Sequence, residues 1–358
     1  MTTMVNQSAD ETQVSLTEPK KSGQRTAAGY WSVDALRISL VVCVCMLLGK
    51  LLHLDASVYL SLFPVIVLTK GKDYSWKGLV GMFAPTMAAA CGALITYEMF
   101  SDHPFVVWSI SAVLFDQMRR RADTPAKIGK LFMPTINWVL IVVFAQHTQA
   151  DMPQRLHEIL LAMVITALVL KTMLWFLPVK PEAKAQNTAI SSPPTQVTYE
   201  QRLVSLGLIG AGLAFLMMVD LVSAAFCIVP VIAVATQTSR QRFMAVLQDR
   251  FVTQVGGCAV AACFMMLMAG HQGVVSLYAI CLFALVYWIS FNFTKETGTL
   301  RDVHGDALLA TVLPLQLYMT NTNIGLSDTF LRGWELTATL GILYLIFRLT
   351  GWLVRSEH

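Results

Sequence analysis

The chain has 358 residues, of which 55% are hydrophobic and only 13% charged, with a net charge of +4. Soluble domains carry about 25% charged residues, so this composition excludes an ordinary soluble protein and indicates a polytopic membrane protein. The basic residues sit in short clusters between apolar runs, a pattern that membrane topology explains and nucleic-acid binding does not.

Residues 1–30 are polar and lack the apolar region of a signal peptide, so they read as a disordered cytoplasmic tail. Twelve apolar segments follow, at about 33–53, 56–70, 77–98, 104–118, 130–147, 157–178, 203–220, 222–237, 246–269, 273–292, 305–321 and 333–353. Lysine and arginine gather in alternate connections: Lys70, Lys72 and Lys77; Arg119, Arg120, Arg121, Lys127 and Lys130; Lys180, Lys184 and Arg202; Arg240 and Arg242; Lys295 and Arg301; and finally Arg355. The intervening loops hold only Arg155 and Arg332. Under the positive-inside rule, this alternation predicts twelve crossings with both termini in the cytoplasm.

Residues 179–202, rich in proline, serine and charge, read as a flexible cytoplasmic linker. They divide the chain into two six-helix blocks, 31–178 and 203–355. A weak internal similarity supports the division: Ser39-Leu40 matches Ser205-Leu206, and Pro64-Val65-Ile66 matches Pro230-Val231-Ile232, all 166 residues apart. An even number of helices per block makes these parallel repeats, related by an axis along the membrane normal. The expected fold is therefore all-α, with about twelve transmembrane helices in two parallel six-helix repeats.

The second segment of each block is an apolar run with a proline in its middle, Pro64 or Pro230, preceded by an aspartate, Asp55 or Asp220. Proline inside a helix deletes one backbone hydrogen bond and frees the carbonyl four residues back, here that of Leu60 or Phe226. Paired broken segments in matching places of two halves point to a transport pathway. The segment 56–70 gives about 22 Å of helix, short of a hydrocarbon core of roughly 30 Å.

Ionisable and polar groups within such segments are candidate functional residues, because burying them in lipid is costly. Asp55 and Asp220 are candidates for proton coupling or gating; the alternative is that they cap the helices that follow, with Lys50 and His53 as partners for Asp55. Arg37 and Lys171 are candidate attractors of an anionic substrate, against the alternative that they snorkel to the headgroups. Asn137 beside Pro134, and Gln316 beside Pro314, could line a pathway or tie helices together. Thr86 and Thr253, each followed by small residues, read as close-packing positions.

The seven cysteines all lie in apolar segments without zinc-like spacing, and neither disulfides nor a metal site is expected. No nucleotide-binding glycine loop, His-Glu-x-x-His helix or Gly-x-Ser-x-Gly turn is present. Enzyme activity, a cofactor and ATP-driven transport are therefore not expected, and an ion gradient is the simplest energy source.

The order and spacing of Leu36-Arg37-Ile38-Ser39-Leu40, Phe63-Pro64-Val65-Ile66 and Trp76-Lys77-Gly78-Leu79-Val80 in the first block, and of Arg240-Gln241-Arg242-Phe243 and Arg250-Phe251-Val252-Thr253-Gln254-Val255-Gly256-Gly257 in the second, resemble the fusaric acid resistance and aromatic acid exporter superfamily. The resemblance covers residues 31–355. It implies proton-coupled export of small aromatic or amphipathic organic acids across the bacterial inner membrane, with a HlyD-type periplasmic membrane-fusion protein as partner. Larger members carry a sizeable cytoplasmic domain after each block, which this chain lacks, so it resembles the short members. A homo-oligomer is compatible with this reading. A passive organic-anion channel and a non-transporting scaffold of an envelope complex are the alternatives.

Overall fold

The computed structural model describes residues 32–71, 73–122, 124–148, 151–178, 197–219, 222–237, 240–271, 273–319 and 325–355. The tail, most of the linker and Asp220 lie outside them. The described residues form α-helices without strands: α1 Val33–Leu51, α2 Tyr59–Lys70, α3 Trp76–Phe100, α4 Pro104–Arg121, α5 Pro125–His147, α6 Met152–Phe176, α7 Tyr199–Met218, α8 Ile228–Ala235, α9 Arg240–Leu267, α10 Val275–Lys295, α11 Thr299–Tyr318 and α12 Leu326–Arg355. A 3₁₀ turn, Val222–Cys227, leads into α8. All twelve predicted segments are found, several with longer ends than hydropathy suggested. Polar N-caps account for part of the extension, since Ser75, Thr124, Asp151 and Thr198 each accept a first-turn N–H and start their helices before the apolar run begins.

Seven helices, α3, α5, α6, α7, α9, α10 and α12, are long and apolar enough to cross a membrane. Their outer faces carry Val80, Ile95, Leu168, Ile280 and Leu345 in exposed positions. Aliphatic surface on this scale would be a liability in water and suits contact with lipid. The protein is a multi-pass, all-helical membrane protein.

Cross-helix contacts fix the two ends of the bundle. At one, Ser32 N–H donates to the Tyr287 hydroxyl (3.3 Å), Lys70 meets Asp302 (3.3 Å) and Arg202 meets Asp116 (2.6 Å). This basic end gathers the Lys- and Arg-rich connections. At the other, His147 Nε2 lies 2.7 Å from the Leu216 carbonyl and Thr329 lies 3.2 Å from Met265 Sδ.

Four elements make the centre. In α5, 72% of the apolar window is buried against 22% in α3 and α12, which places α5 inside and the other two at the rim. In α2, ten consecutive residues from Tyr59 to Leu68 are buried; in α8 all eight are, and in α11 every residue from Leu308 to Gln316. At about 18 Å for α2 and 12 Å for α8, neither short helix could span lipid alone, and the surrounding helices shield both. Each central element bears a proline: Pro64, Pro134, Pro230 and Pro314.

The pairings between blocks come in matched sets. Helix α1 packs on α10 as α7 packs on α4, and α2 packs on α11 as α5 packs on α8. Exchanging the two blocks preserves these contacts. Close approach is secured by small residues. A Cβ on Gly257 would lie 2.5 Å from Ala310 Cβ and 2.8 Å from the Ala310 carbonyl carbon, so α9 and α11 touch backbone to backbone there. That agrees with the close-packing reading of the small-residue run after Thr253.

Candidate functional site

The two proline segments differ in a way the sequence pattern conceals. Pro64 is the sixth residue of α2, so Leu60 O cannot receive the bond its helix would otherwise supply. Pro230 is the third residue of α8, where N–H groups have no intrahelical acceptor, and its missing donor costs nothing. A 3₁₀ turn leads directly into α8, and i→i+3 bonds from Tyr59 N–H to Ala56 O and from Leu60 N–H to Ser57 O lead into α2 in the same way. Both prolines are buried.

Polar side chains in the centre fall into two groups. Hydroxyls satisfy themselves locally: Ser61 donates to Val58 O (2.8 Å), Thr135 to Leu131 O (2.8 Å) and Thr311 to Ala307 O (2.8 Å). The amides do not. Asn137 donates to Met133 O (3.1 Å), but its Oδ1 is buried without a partner. Gln316 has neither Nε2 nor Oε1 bonded, and lies against Gly49 of α1. A buried amide left unmet costs stability that an apolar side chain of the same shape would not.

The remaining predicted residues are dispersed. Arg37 does not snorkel: it is 5% exposed, pairs with Asp34 (2.7 Å) and reaches the Leu177 carbonyl (3.4 Å), which ties α1 to the end of α6. Lys171 lies over the Trp76 ring at 5.2 Å, on the outer surface. Neither approaches the centre. Asp55 is exposed and caps nothing: α2 has no side-chain cap, and the nearby Ala56 N–H is accepted instead by Glu158 Oε2 of α6 at 2.6 Å. Glu158 is 6% exposed and also accepts from Gln154 (3.4 Å). Removing it in Glu158→Ala leaves a buried N–H without an acceptor, which costs about 1–3 kcal/mol. Glu158→Gln keeps an acceptor oxygen, so thermal unfolding of the two purified variants separates them, with the alanine form melting lower.

Two sets of arginines went unremarked as candidates in the sequence. At the basic end, a shallow cleft between α4, α5, α7 and α8 is lined by Asp116, Arg119, Thr135, Arg202, Ser205 and Thr236 among apolar side chains. Arg202 is held bidentately by Asp116 at 2.9 and 2.6 Å. Arg119 is 4% exposed; its Nη1 donates to Ala122 O (3.0 Å), while Nε and Nη2 have no partner. At the opposite end, Arg155 and Arg332 lie in helices rather than loops. Arg155 sits 4.2 Å from the centre of the Phe144 ring, and Arg332 sits 5.3 Å from that of Phe226. The two rings meet edge-on at 6.2 Å. The signal in the sequence was the recurrence of Arg-Leu-His-Glu at 155–158 as Arg-Gly-Trp-Glu at 332–335, one in the last helix of each block.

The seam between α5 and α8 thus has the Arg119 cleft at one end and the edge-on Phe144 and Phe226 rings at the other. Its counterpart between α2 and α11 is closed at the basic end, where Lys70 and Arg250 both hold Asp306, at 3.4 and 3.0 Å. Among the described residues no group of His, Cys, Asp and Glu could hold a metal ion.

Residues 34–173 match the model of a family described as a protein of unknown function, DUF2955. The chain is similar to that family from α1 to near the end of α6. No curated protein and no solved structure gives a match.

Proposed function

We propose that the protein is an efflux transporter of the bacterial inner membrane that exports small aromatic or amphipathic organic acids, driven by the proton gradient and working with a HlyD-type periplasmic adaptor. The observation that carries this reading is the α5/α8 seam, where α8, too short to span lipid, packs on the proline-bearing central helix α5 that holds the buried, unbonded Oδ1 of Asn137. Irregular backbone and unpaired polar atoms persist at membrane depth where they line a route for a polar solute. The positive-inside rule turns the basic end toward the cytoplasm. An organic anion then meets the cleft first, where Arg119 offers two unbonded N–H groups. Asp55 and Asp220 are the proton-coupling or gating candidates from the sequence, and the buried Glu158 joins them.

The test is efflux of preloaded radiolabelled benzoate from cells with and without the gene, each with and without a protonophore. Gene-dependent efflux that the protonophore abolishes is expected. Flux that follows only the benzoate gradient would assign a passive channel, and no flux even with the adaptor co-expressed would assign a scaffold.

A further inference from the structure

Arg155 and Arg332 occupy equivalent places. Each precedes a glutamate by three residues, and each is 177 residues from its counterpart, as Glu158 is from Glu335. Each guanidinium rests on a ring belonging to the α5/α8 seam, and the two rings close the seam between them. Arg332 is 1% exposed, with Nε and Nη1 unbonded; Nη1 of Arg155 is likewise buried and unbonded. The thiols of Cys227 and Cys258, the Tyr318 hydroxyl and the Glu335 carboxylate lie around Arg332. Glu158 is already engaged by the Ala56 N–H.

A buried cation with unfilled donors is costly unless an anion completes it. A carboxylate completes it best, because its two oxygens match the planar fork of N–H groups, and a charge-assisted bond outweighs contact with a ring face.

We propose that Arg155 and Arg332 form an anion clamp at the end of the seam opposite the basic loops: a small organic carboxylate parts the Phe144 and Phe226 rings and takes the free N–H groups of the guanidiniums. The clamp rests on the transport reading above and adds to it the exit site. The two rings meet across the seam and shut it. The arrangement couples substrate to opening, since the rings that block the route are held by the cations that recognise the cargo. A neutral molecule of the same shape lacks the second acceptor oxygen and the charge-assisted bonds with which to displace them.

The test is equilibrium dialysis of the purified full-length protein with radiolabelled benzoate, with benzamide as the neutral isostere and chloride as the inorganic competitor. Arg332→Gln and Arg155→Gln are each expected to weaken benzoate binding about tenfold or more, the loss of one charge-assisted bond. Benzamide should not compete. Arg155 is only partly buried, so Arg155→Gln decides the matter if Arg332→Gln does not fold. No benzoate binding by the wild type, affinities within about twofold in both variants, or displacement by equimolar chloride would each overturn the clamp. Benzoate efflux separates the two proposals. Binding that both variants lose, with no efflux from the wild type, supports the clamp and overturns the transport reading. Efflux undiminished in both variants does the reverse.

Discussion

Replacing Gly257 by valine is expected to remove folded protein from the membrane. The first added carbon already falls within 2.8 Å of the Ala310 carbonyl carbon and 3.1 Å of the Thr311 amide nitrogen, and backbone atoms of a central helix cannot step aside as a side-chain tip can. Overpacking of this kind costs about 1–3 kcal/mol for modest insertions. Valine adds two further methyl groups at a contact between α9 and the central helix α11. Yield of monodisperse protein on size-exclusion chromatography is the measurement. The control is Gly256→Ala, one residue away, where an added Cβ meets nothing within 4 Å; this change is expected to be neutral or slightly stabilising, because α9 is helical there. Equal yields of the two variants would mean that α9 and α11 are not packed as described.

Gln316→Leu is expected to act in opposite directions on stability and function. Both polar atoms of the glutamine are buried and unbonded. A leucine of similar volume removes that burden and should raise stability by about 1–3 kcal/mol, seen as a higher unfolding temperature in detergent. If the α2/α11 pairing, closed at its basic end in this structure, carries solute as the α5/α8 seam does, efflux falls about tenfold or more in the same variant. Such a trade is expected where a functional group is retained against stability. A lower unfolding temperature with unchanged efflux would show instead that the amide is structural. Asn137→Leu is a weaker version of the same experiment, since its Nδ2 already donates to Met133 O and only Oδ1 is unmet.

These expectations turn on features of unequal legibility. The prolines, the amides and the small-residue contact at Gly257 could be read from the chain, because each is a local departure from an apolar helix. Arg37 and Lys171 were equally visible, but what each one touches was not. One is locked to Asp34 and the Leu177 carbonyl, the other lies over an exposed tryptophan. Depth along a helix can be counted from its ends. The direction a side chain faces depends on which helix lies beside it. The capping alternative for Asp55 failed for the same reason: the acceptor for the α2 entrance comes from Glu158, 102 residues away in the chain.

What the sequence determined by itself was the order and approximate limits of the twelve helices among the described residues. An apolar run in lipid has to satisfy its own backbone, and helix is the local way to do so; charge in the connections then sets which end is which. Only the tertiary structure decided which four elements form the centre, that a 3₁₀ turn leads into the proline segment of the second block, and that the two arginines opposite the basic end rest on facing rings. Those outcomes depend on contacts between residues far apart in the chain, α5 with α8 and α2 with α11. No run of hydropathy encodes such pairings, because every apolar segment is equally free to meet lipid or another helix until the bundle closes.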